Sequence, residues 1–221
     1  MTLAAPPRRR TAEPNGVQFS HVSWEGYESL LKEVGDRLVY ITYDQGRMEI
    51  MSPTVSHEVY KRIIGSLIET LAEEMSIPIL MSGSATFKRK DLAKGLEPDE
   101  SYYIGNIARV QGKKHIRLPK DPPPDLVVEV DISHHGIQRE ELYAAMGVPE
   151  IWRFDGTRLQ ALVLGGRDYR PSPASLAFPL VQIRKLERIV KMANSLDATH
   201  IRKAFREWVR SHMLRCFDCA A

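Results

Sequence analysis

The chain has 221 residues, of which 43% are hydrophobic, and this is enough for one sizeable core in a single domain. Its formal net charge of +3 permits nucleic-acid binding without requiring it. The sequence lacks the run of about 18 apolar residues that a membrane helix needs, and its first residues lack the apolar stretch of a secretion signal. The two cysteines, Cys216 and Cys219, are too few for a disulfide framework. Together these features predict a soluble protein of the reducing cytoplasm.

The first part of the chain predicts an arm followed by a helix and a hairpin. Residues 1–19 are rich in Pro and Arg and show no hydrophobic period, which is typical of a flexible arm. Ser23 can cap a short helix that ends at Gly35. Apolar and polar residues then alternate on both sides of Asp44-Gln45-Gly46, a pattern that predicts an N-terminal β-hairpin.

The middle of the chain predicts one long helix and several short strands. Between 56 and 76 apolar residues recur every three or four positions, as in a helix with one buried face. Strands are expected at 79–81, 85–89 and 99–104. The segment 105–124 is polar and ends in three prolines, which indicates a surface loop.

Beyond this loop the pattern predicts a buried strand, a helix, a meander of strands and two basic helices. These elements are expected at 125–132, 137–146, 150–155, 159–164, near 169, at 184–194 and at 199–214. We therefore divide the chain into a flexible arm at 1–19, a domain at 20–182 and a basic helical C-terminal extension at 183–221.

Carboxylates interrupt the most apolar of the predicted strands. Glu129 and Asp131 lie in a run of Leu, Val and Ile that is typical of a central strand, and side chains two positions apart face the same side. Asp99 begins another predicted strand, which a simple return of the chain would place about 4.8 Å away. Ionised carboxylates are costly to bury, so the pattern predicts a site for a hard cation such as Mg²⁺ or Mn²⁺. Alternatively, Asp99 is a strand-initiating residue after Pro98, and Asp131 pairs with a cation or lies at the solvent edge.

These acids also resemble a known signature. Pro98-Asp99 and Glu129-Val130-Asp131 are similar to the Pro-Asp…(Asp/Glu)-x-Lys pattern of restriction-endonuclease-like nucleases, with Asp131 in place of the lysine. Four segments resemble, more specifically, the bacterial Uma2 (DUF820) family, and they lie at 41–53 with His57-Glu58, at 95–104, at 124–130 and at 142–152. The resemblance covers roughly residues 20–180.

The resemblance implies an α/β fold of the restriction-endonuclease-like class, with a mixed central sheet flanked by helices. It implies a Mg²⁺ or Mn²⁺ ion held by Asp99, Glu129 and the backbone carbonyl of Val130, and an activated water that attacks a phosphodiester. Many relatives carry a lysine on the following helix, where this chain has Arg139. Arginine can stabilise charge at phosphorus, but its very high pKa makes it a poor general base. Arg139 could also be a charge on the helix surface that pairs with Glu140 or with other nearby acids.

Two residues of the long helix are further candidates. His57 and Glu58 fall in its first turn, where the related fold often supplies an extra acid to the metal site. Either residue could act only locally, His57 through a hydrogen bond and Glu58 by complementing the helix dipole. Glu49, on the hairpin, is a weaker candidate. His134-His135 is more typical of a polar turn than of a phosphate contact.

The leading hypothesis is a metal-dependent endonuclease that cuts DNA as a homodimer, since two single-cut sites are the simple way to sever a duplex. The missing lysine favours a second hypothesis, a nucleic-acid-binding or regulatory module that kept the fold and lost turnover. Two further hypotheses are a metal-dependent hydrolase of a small phosphorylated ligand and a protein whose acids have no function. Basic residues within 88–94 and 113–120 could flank the cleft, and this favours a large polyanion.

Overall fold

The computed structural model describes residues 16–35, 37, 39–132 and 136–213. The strands within these residues are β1 Gly16–Phe19, β2 Tyr40–Asp44, β3 Arg47–Met51, β4 Leu80–Met81, β5 Phe87–Arg89, β6 Lys94–Leu96, β7 Glu100–Tyr103, β8 Leu126–Val130, β9 Glu150–Phe154, β10 Leu159–Gly165 and β11 Asp168–Ser172. The α-helices are α1 Trp24–Val34, α2 Val55–Glu74, α3 Ile107–Val110, α4 Arg139–Met146, α5 Ile183–Lys191 and α6 Ala198–His212. Short 3₁₀ helices cover Lys90–Leu92 and Met192–Asn194.

The strands form two sheets. The first has five strands in the order β1-β3-β2-β6-β5, and all of its pairs are antiparallel. The second has six strands in the order β11-β10-β9-β8-β7-β4, and it is mixed because β8 and β9 run parallel. Helix α4 lies in the connection between these two parallel strands, which cannot be joined by a tight turn. The mixed sheet with helices on its faces confirms the fold class that the sequence predicted.

Strand β8 is central and covered on both sides, as its apolar run predicted. Val128 and Val130 pack into a core with residues of α2, α5 and α6. Val127 faces the other way and packs with residues of α4. Because successive side chains of a strand point to opposite faces, Glu129 shares the α4 face with Val127.

The predicted return of the chain between the two acidic segments is confirmed. Strands β7 and β8 are antiparallel neighbours, with Glu100 opposite Val128 and Ser101 opposite Val127. Continuing this register by one residue places Asp99 opposite Glu129. The two acids therefore meet at one end of this strand pair.

The C-terminal helices belong to the main core. Their buried apolar residues, among them Val190, Phe205 and Val209, pack in the same cluster as α2 and the second sheet. At the exposed edge of this contact Arg206 and Arg210 form ion pairs with acids near the end of α2. The basic side chains of α6 thus lie at the edge of an apolar contact between helices. The domain boundary at residue 183 stays a prediction.

Two segments differ from the sequence prediction. Residues 16–19, assigned to the flexible arm, form β1 and pair with β3. Residues 94–96, for which no strand was predicted, form β6, which pairs with β2 through Gly95 and Tyr43. A Cβ at Gly95 would lie 2.3 Å from the Tyr27 hydroxyl, so this pairing requires a glycine. Both strands form through partners distant in sequence, which a local pattern does not reveal.

Some predictions concern residues outside the described ranges. They include the first 15 residues of the arm, the His134-His135 turn and the Cys216 and Cys219 pair. Within the described ranges, no helix combines the length and the apolar character that crossing a bilayer requires.

Candidate active site

Asp99 and Glu129 are buried side by side at the end of the β7–β8 pair. Asp99 is 2% exposed and Glu129 is 7% exposed. The Oδ2 atom of Asp99 accepts a hydrogen bond of 2.7 Å from the backbone N–H of Val130. The start of α2 approaches this acid pair through His57, and the start of α4 approaches it through Arg139.

On the α4 side, Arg139 is fixed by several acceptors at once. Its guanidinium donates to Glu129 Oε1 at 2.9 Å, to the hydroxyl of Thr42 at 2.9 Å and to the carbonyl oxygen of Glu97 at 2.5 Å. Tyr143, one helical turn further along α4, donates its hydroxyl to the same oxygen of Glu129. Of the acids considered as partners of Arg139, Glu140 pairs with Arg153 instead, and the acid that Arg139 contacts is the buried Glu129.

The charges on this side balance within the protein. Burial raises the pKa of Glu129 above its usual range; the nearby Arg139 lowers it and Asp99 raises it further. Burial also disfavours the charged form of Arg139, but the adjacent Glu129 outweighs this effect and the pKa of Arg139 is raised. Arg139 therefore stays protonated and acts as the fixed counter-ion of Glu129.

On the α2 side, His57 is buried beside Asp99 with unused hydrogen-bonding capacity. Its Nε2 lies 3.1 Å from Asp99 Oδ2, and its Nδ1 lies 3.5 Å from an oxygen of Glu58. Neither ring nitrogen, nor that Glu58 oxygen, makes an aligned hydrogen bond with any described residue. Burial lowers the pKa of His57, but the close contact with Asp99 and the charge of that acid outweigh this effect, so the pKa is raised.

Lys61 and Tyr40 complete this side, and sequence reasoning assigned neither of them to the site. The ammonium of Lys61 donates a hydrogen bond of 2.8 Å to the hydroxyl of Tyr40 and lies 3.7 Å from Glu58. One signal could have found Lys61, since residues four apart on a helix share a face and His57 lies four positions earlier. Tyr40 comes from the first sheet, so no local spacing relates it to the acids.

The structure places the remaining candidate acids, Asp131 and Glu49, in different surroundings. Asp131 is half-buried and lines a cleft of about 450 Å³ together with Glu129, Arg139 and Arg153. Glu49 accepts hydrogen bonds from Gly136 and Gln18. Residues that the structure adds to the site, besides Lys61 and Tyr40, are Thr42, Glu97 and Tyr143.

Glu97 has a structural task. Its carboxylate accepts a hydrogen bond of 3.1 Å from the backbone N–H of Ile41 and one of 2.7 Å from the hydroxyl of Thr86. Burial raises its pKa. These contacts join the first sheet to the segment that carries Asp99.

The acid pair fits a hard divalent cation whose other ligands come from outside the pair. Asp99 Oδ1 and Glu129 Oε2 accept no hydrogen bond from the described residues. No group of three or more His, Cys, Asp or Glu side chains that could hold a metal occurs in the described part of the chain. A metal bound here would therefore need backbone, water or phosphate oxygens besides the two carboxylates, as Mg²⁺ commonly does.

The basic residues expected to flank the cleft are largely neutralised. Lys88 pairs with Glu28 at 2.8 Å, Lys94 with Asp44 at 2.5 Å, and Lys113 with Asp121. The cleft that Glu129 lines takes no side chain from 88–94 or 113–120. Neither segment therefore lines this cleft, and a contact of these segments with a bound polyanion stays a prediction.

The chain matches known proteins over most of its length. The model of the family Uma2, described as "Putative restriction endonuclease", matches residues 24–212. A crystal structure of a "putative nuclease belonging to DUF820" from Anabaena variabilis ATCC 29413 is similar, with 17% identity, a TM-score of 0.48, and coverage of 68% of this chain and 90% of that one. A comparison with curated proteins found no match. Because the family model covers far more than half of the chain, this protein belongs to the Uma2 family.

Proposed function

We propose that the protein is a divalent-metal-dependent endonuclease that hydrolyses phosphodiester bonds of DNA. Membership of a family described as restriction endonucleases supports a hydrolase that acts on nucleic acid. The observation that carries the proposal is the pair of buried carboxylates, Asp99 and Glu129, each with an oxygen that no described residue uses. Buried acids are costly, and a bound cation would offset that cost.

Asp99 and Glu129, with the Val130 carbonyl, would hold the ion. When bound, Mg²⁺ or Mn²⁺ neutralises charge on a phosphate and lowers the pKa of a water molecule. The Val130 N–H orients Asp99, and Arg139 with Tyr143 orients Glu129, so that both acids are positioned before a ligand arrives.

The other predicted residues receive different roles. Arg139 is a positioning residue in this proposal and not a general base, because its donors are directed at Glu129, Thr42 and Glu97. His57 and Glu58 border the acids on the α2 side, and Asp131 borders the mouth of the cleft. We further propose a homodimer, in which each copy cuts one strand of the duplex.

One observation favours a non-catalytic nucleic-acid-binding module instead. The guanidinium of Arg139 lies 2.9 Å from Glu129 and compensates its charge without a metal. A module of that kind would bind DNA equally well with and without divalent ions and would not cleave it. A metal-dependent enzyme would instead bind DNA differently with and without divalent ions, and it would cleave the DNA.

The decisive experiment measures cleavage of supercoiled and linear DNA with Mn²⁺ or Mg²⁺, together with Mn²⁺ affinity by calorimetry. Asp99→Asn and Glu129→Gln keep the shape of each acid and remove its charge, so we expect both to abolish cleavage and to weaken Mn²⁺ binding. Glu141→Gln, at an exposed position of α4, is the matched control and should behave as the wild type. Full cleavage by either acid variant would exclude this site as the catalytic centre.

A further inference from the structure

The Lys61 ammonium is a buried cation with unused hydrogen-bonding capacity. Its side chain is 10% exposed, whereas that of its neighbour Arg62 is 79% exposed. An ammonium has three N–H donors, and among the described residues one of them has an acceptor, the hydroxyl of Tyr40 at 2.8 Å. Glu58 lies 3.7 Å away, beyond hydrogen-bond distance. Two strong donors therefore remain for a ligand.

Lys61 is linked to the acid pair through Tyr40 and His57. The ring of Tyr40, whose hydroxyl accepts from Lys61, lies 6.0 Å from the ring of His57. Lys61 shares one face of α2 with His57, whose ring lies 3.1 Å from Asp99 and has both nitrogens without an aligned hydrogen bond. Unsatisfied buried polar groups of this kind are rare unless a ligand completes them.

Arg139 is committed to Glu129 in the conformation observed. Both of its terminal nitrogens donate to protein oxygens, and its Nε is buried without a partner in the described part of the chain. A move of Arg139 toward a phosphate would leave Glu129 buried and uncompensated, which is costly. The ammonium of Lys61 has no carboxylate of the described residues within hydrogen-bond distance, so it can contact a substrate phosphate without that cost.

We propose that Lys61 binds the phosphate of the DNA backbone that lies against Asp99 and Glu129, so that α2 and not α4 supplies the cation that faces the substrate. The inference rests on the proposed function, since it names the side chain that holds the substrate of that same site. The ammonium would donate its two unused hydrogens to non-bridging phosphate oxygens and offset the charge that the acids bring to the site.

The test separates a phosphate contact from a structural role through the salt dependence of binding. Affinity of the full chain for a duplex oligonucleotide is measured with Ca²⁺ at several NaCl concentrations, and cleavage is measured separately with Mn²⁺. Loss of one phosphate contact lowers the slope of log affinity against log salt by about one. We expect this change in Lys61→Met, with cleavage reduced about 100-fold. Lys61→Arg keeps the positive charge and should restore the slope. If Lys61→Met does not fold, Lys61→Gln is measured in its place.

Arg62→Met is the matched control, because it removes the adjacent, exposed cation of the same helix. An unchanged slope and an unchanged cleavage rate in Lys61→Met would overturn the inference, as would an equal loss of slope in both variants. If the wild type binds DNA with a Lys61-dependent slope but does not cut it, the phosphate contact stands and the proposed endonuclease fails. If the wild type cuts DNA and Lys61→Met does so equally well, the endonuclease stands and the inference fails.

Discussion

The two helices that flank the acid pair, α2 and α4, make different contacts with it. On the α4 side, Arg139 and Tyr143 donate hydrogen bonds to Glu129, and both terminal nitrogens of Arg139 have protein acceptors. On the α2 side, His57 and Lys61 lie close to the acids with donors that no described residue accepts. This difference is the basis of our proposal that α4 stabilises the site and that α2 contacts what binds there. Stability measurements should therefore respond to changes in α4 more strongly than to changes in α2.

Arg139→Met should have the largest effect on stability. It leaves the carboxylate of Glu129 buried without its counter-ion, and breaking such a pair typically costs about 3 to 5 kcal/mol. Urea denaturation measures the loss directly. Adding Glu129→Gln to this variant removes the uncompensated charge of Glu129, so the double variant should recover part of the stability. Equal losses in the single and double variants would show that Arg139 acts through packing and not through Glu129.

Tyr143→Phe should have an intermediate effect. It removes one hydroxyl donor to a buried carboxylate and leaves the ring in place, so we expect a loss of about 2 kcal/mol in the free energy of unfolding. Tyr169→Phe is a suitable comparison, because it removes a hydroxyl that donates to an uncharged carbonyl, that of Val148. A larger loss in Tyr169→Phe than in Tyr143→Phe would contradict the importance of Glu129 as an acceptor.

His57→Gln should have the smallest effect on stability and a marked one on activity. The ring makes no aligned hydrogen bond with the described residues, so the loss should stay below about 1 kcal/mol, while cleavage falls. Thermal unfolding and the cleavage assay on the same sample test both parts. If His57→Gln destabilises the protein more than Tyr143→Phe does, the contrast between the two helices is wrong.

Much of this arrangement could be predicted from local patterns. The apolar run that contains Glu129 identified a buried central strand, and the three- and four-residue spacing identified α2. Pairing of the strands that carry Asp99 and Glu129 followed from one return of the chain. These predictions succeeded because burial on both faces, or on one face of a helix, leaves a periodic trace in the sequence.

What could not be predicted depends on contacts between distant segments. Arg139 was expected to contact substrate or to pair with Glu140 or other nearby acids, but the fold also brings Thr42 and the carbonyl of Glu97 to its guanidinium. Lys61 looked like an ordinary polar residue of a helix, and its role in the site depends on Tyr40 from the other sheet. Such partners come from the tertiary arrangement, which no spacing along the chain records.

The packing of α6 on α2 has a practical consequence for anyone who wishes to shorten the protein. Phe205 and Val209 are fully buried in the cluster that holds α2 against the second sheet. A version that stops at residue 182 would present this apolar stripe of α2 to water, and such stripes promote aggregation. The same helix carries His57 and Lys61 at its other end. A tag or fusion that disturbs the C-terminus could therefore inactivate the site from a distance, although every site residue is still present.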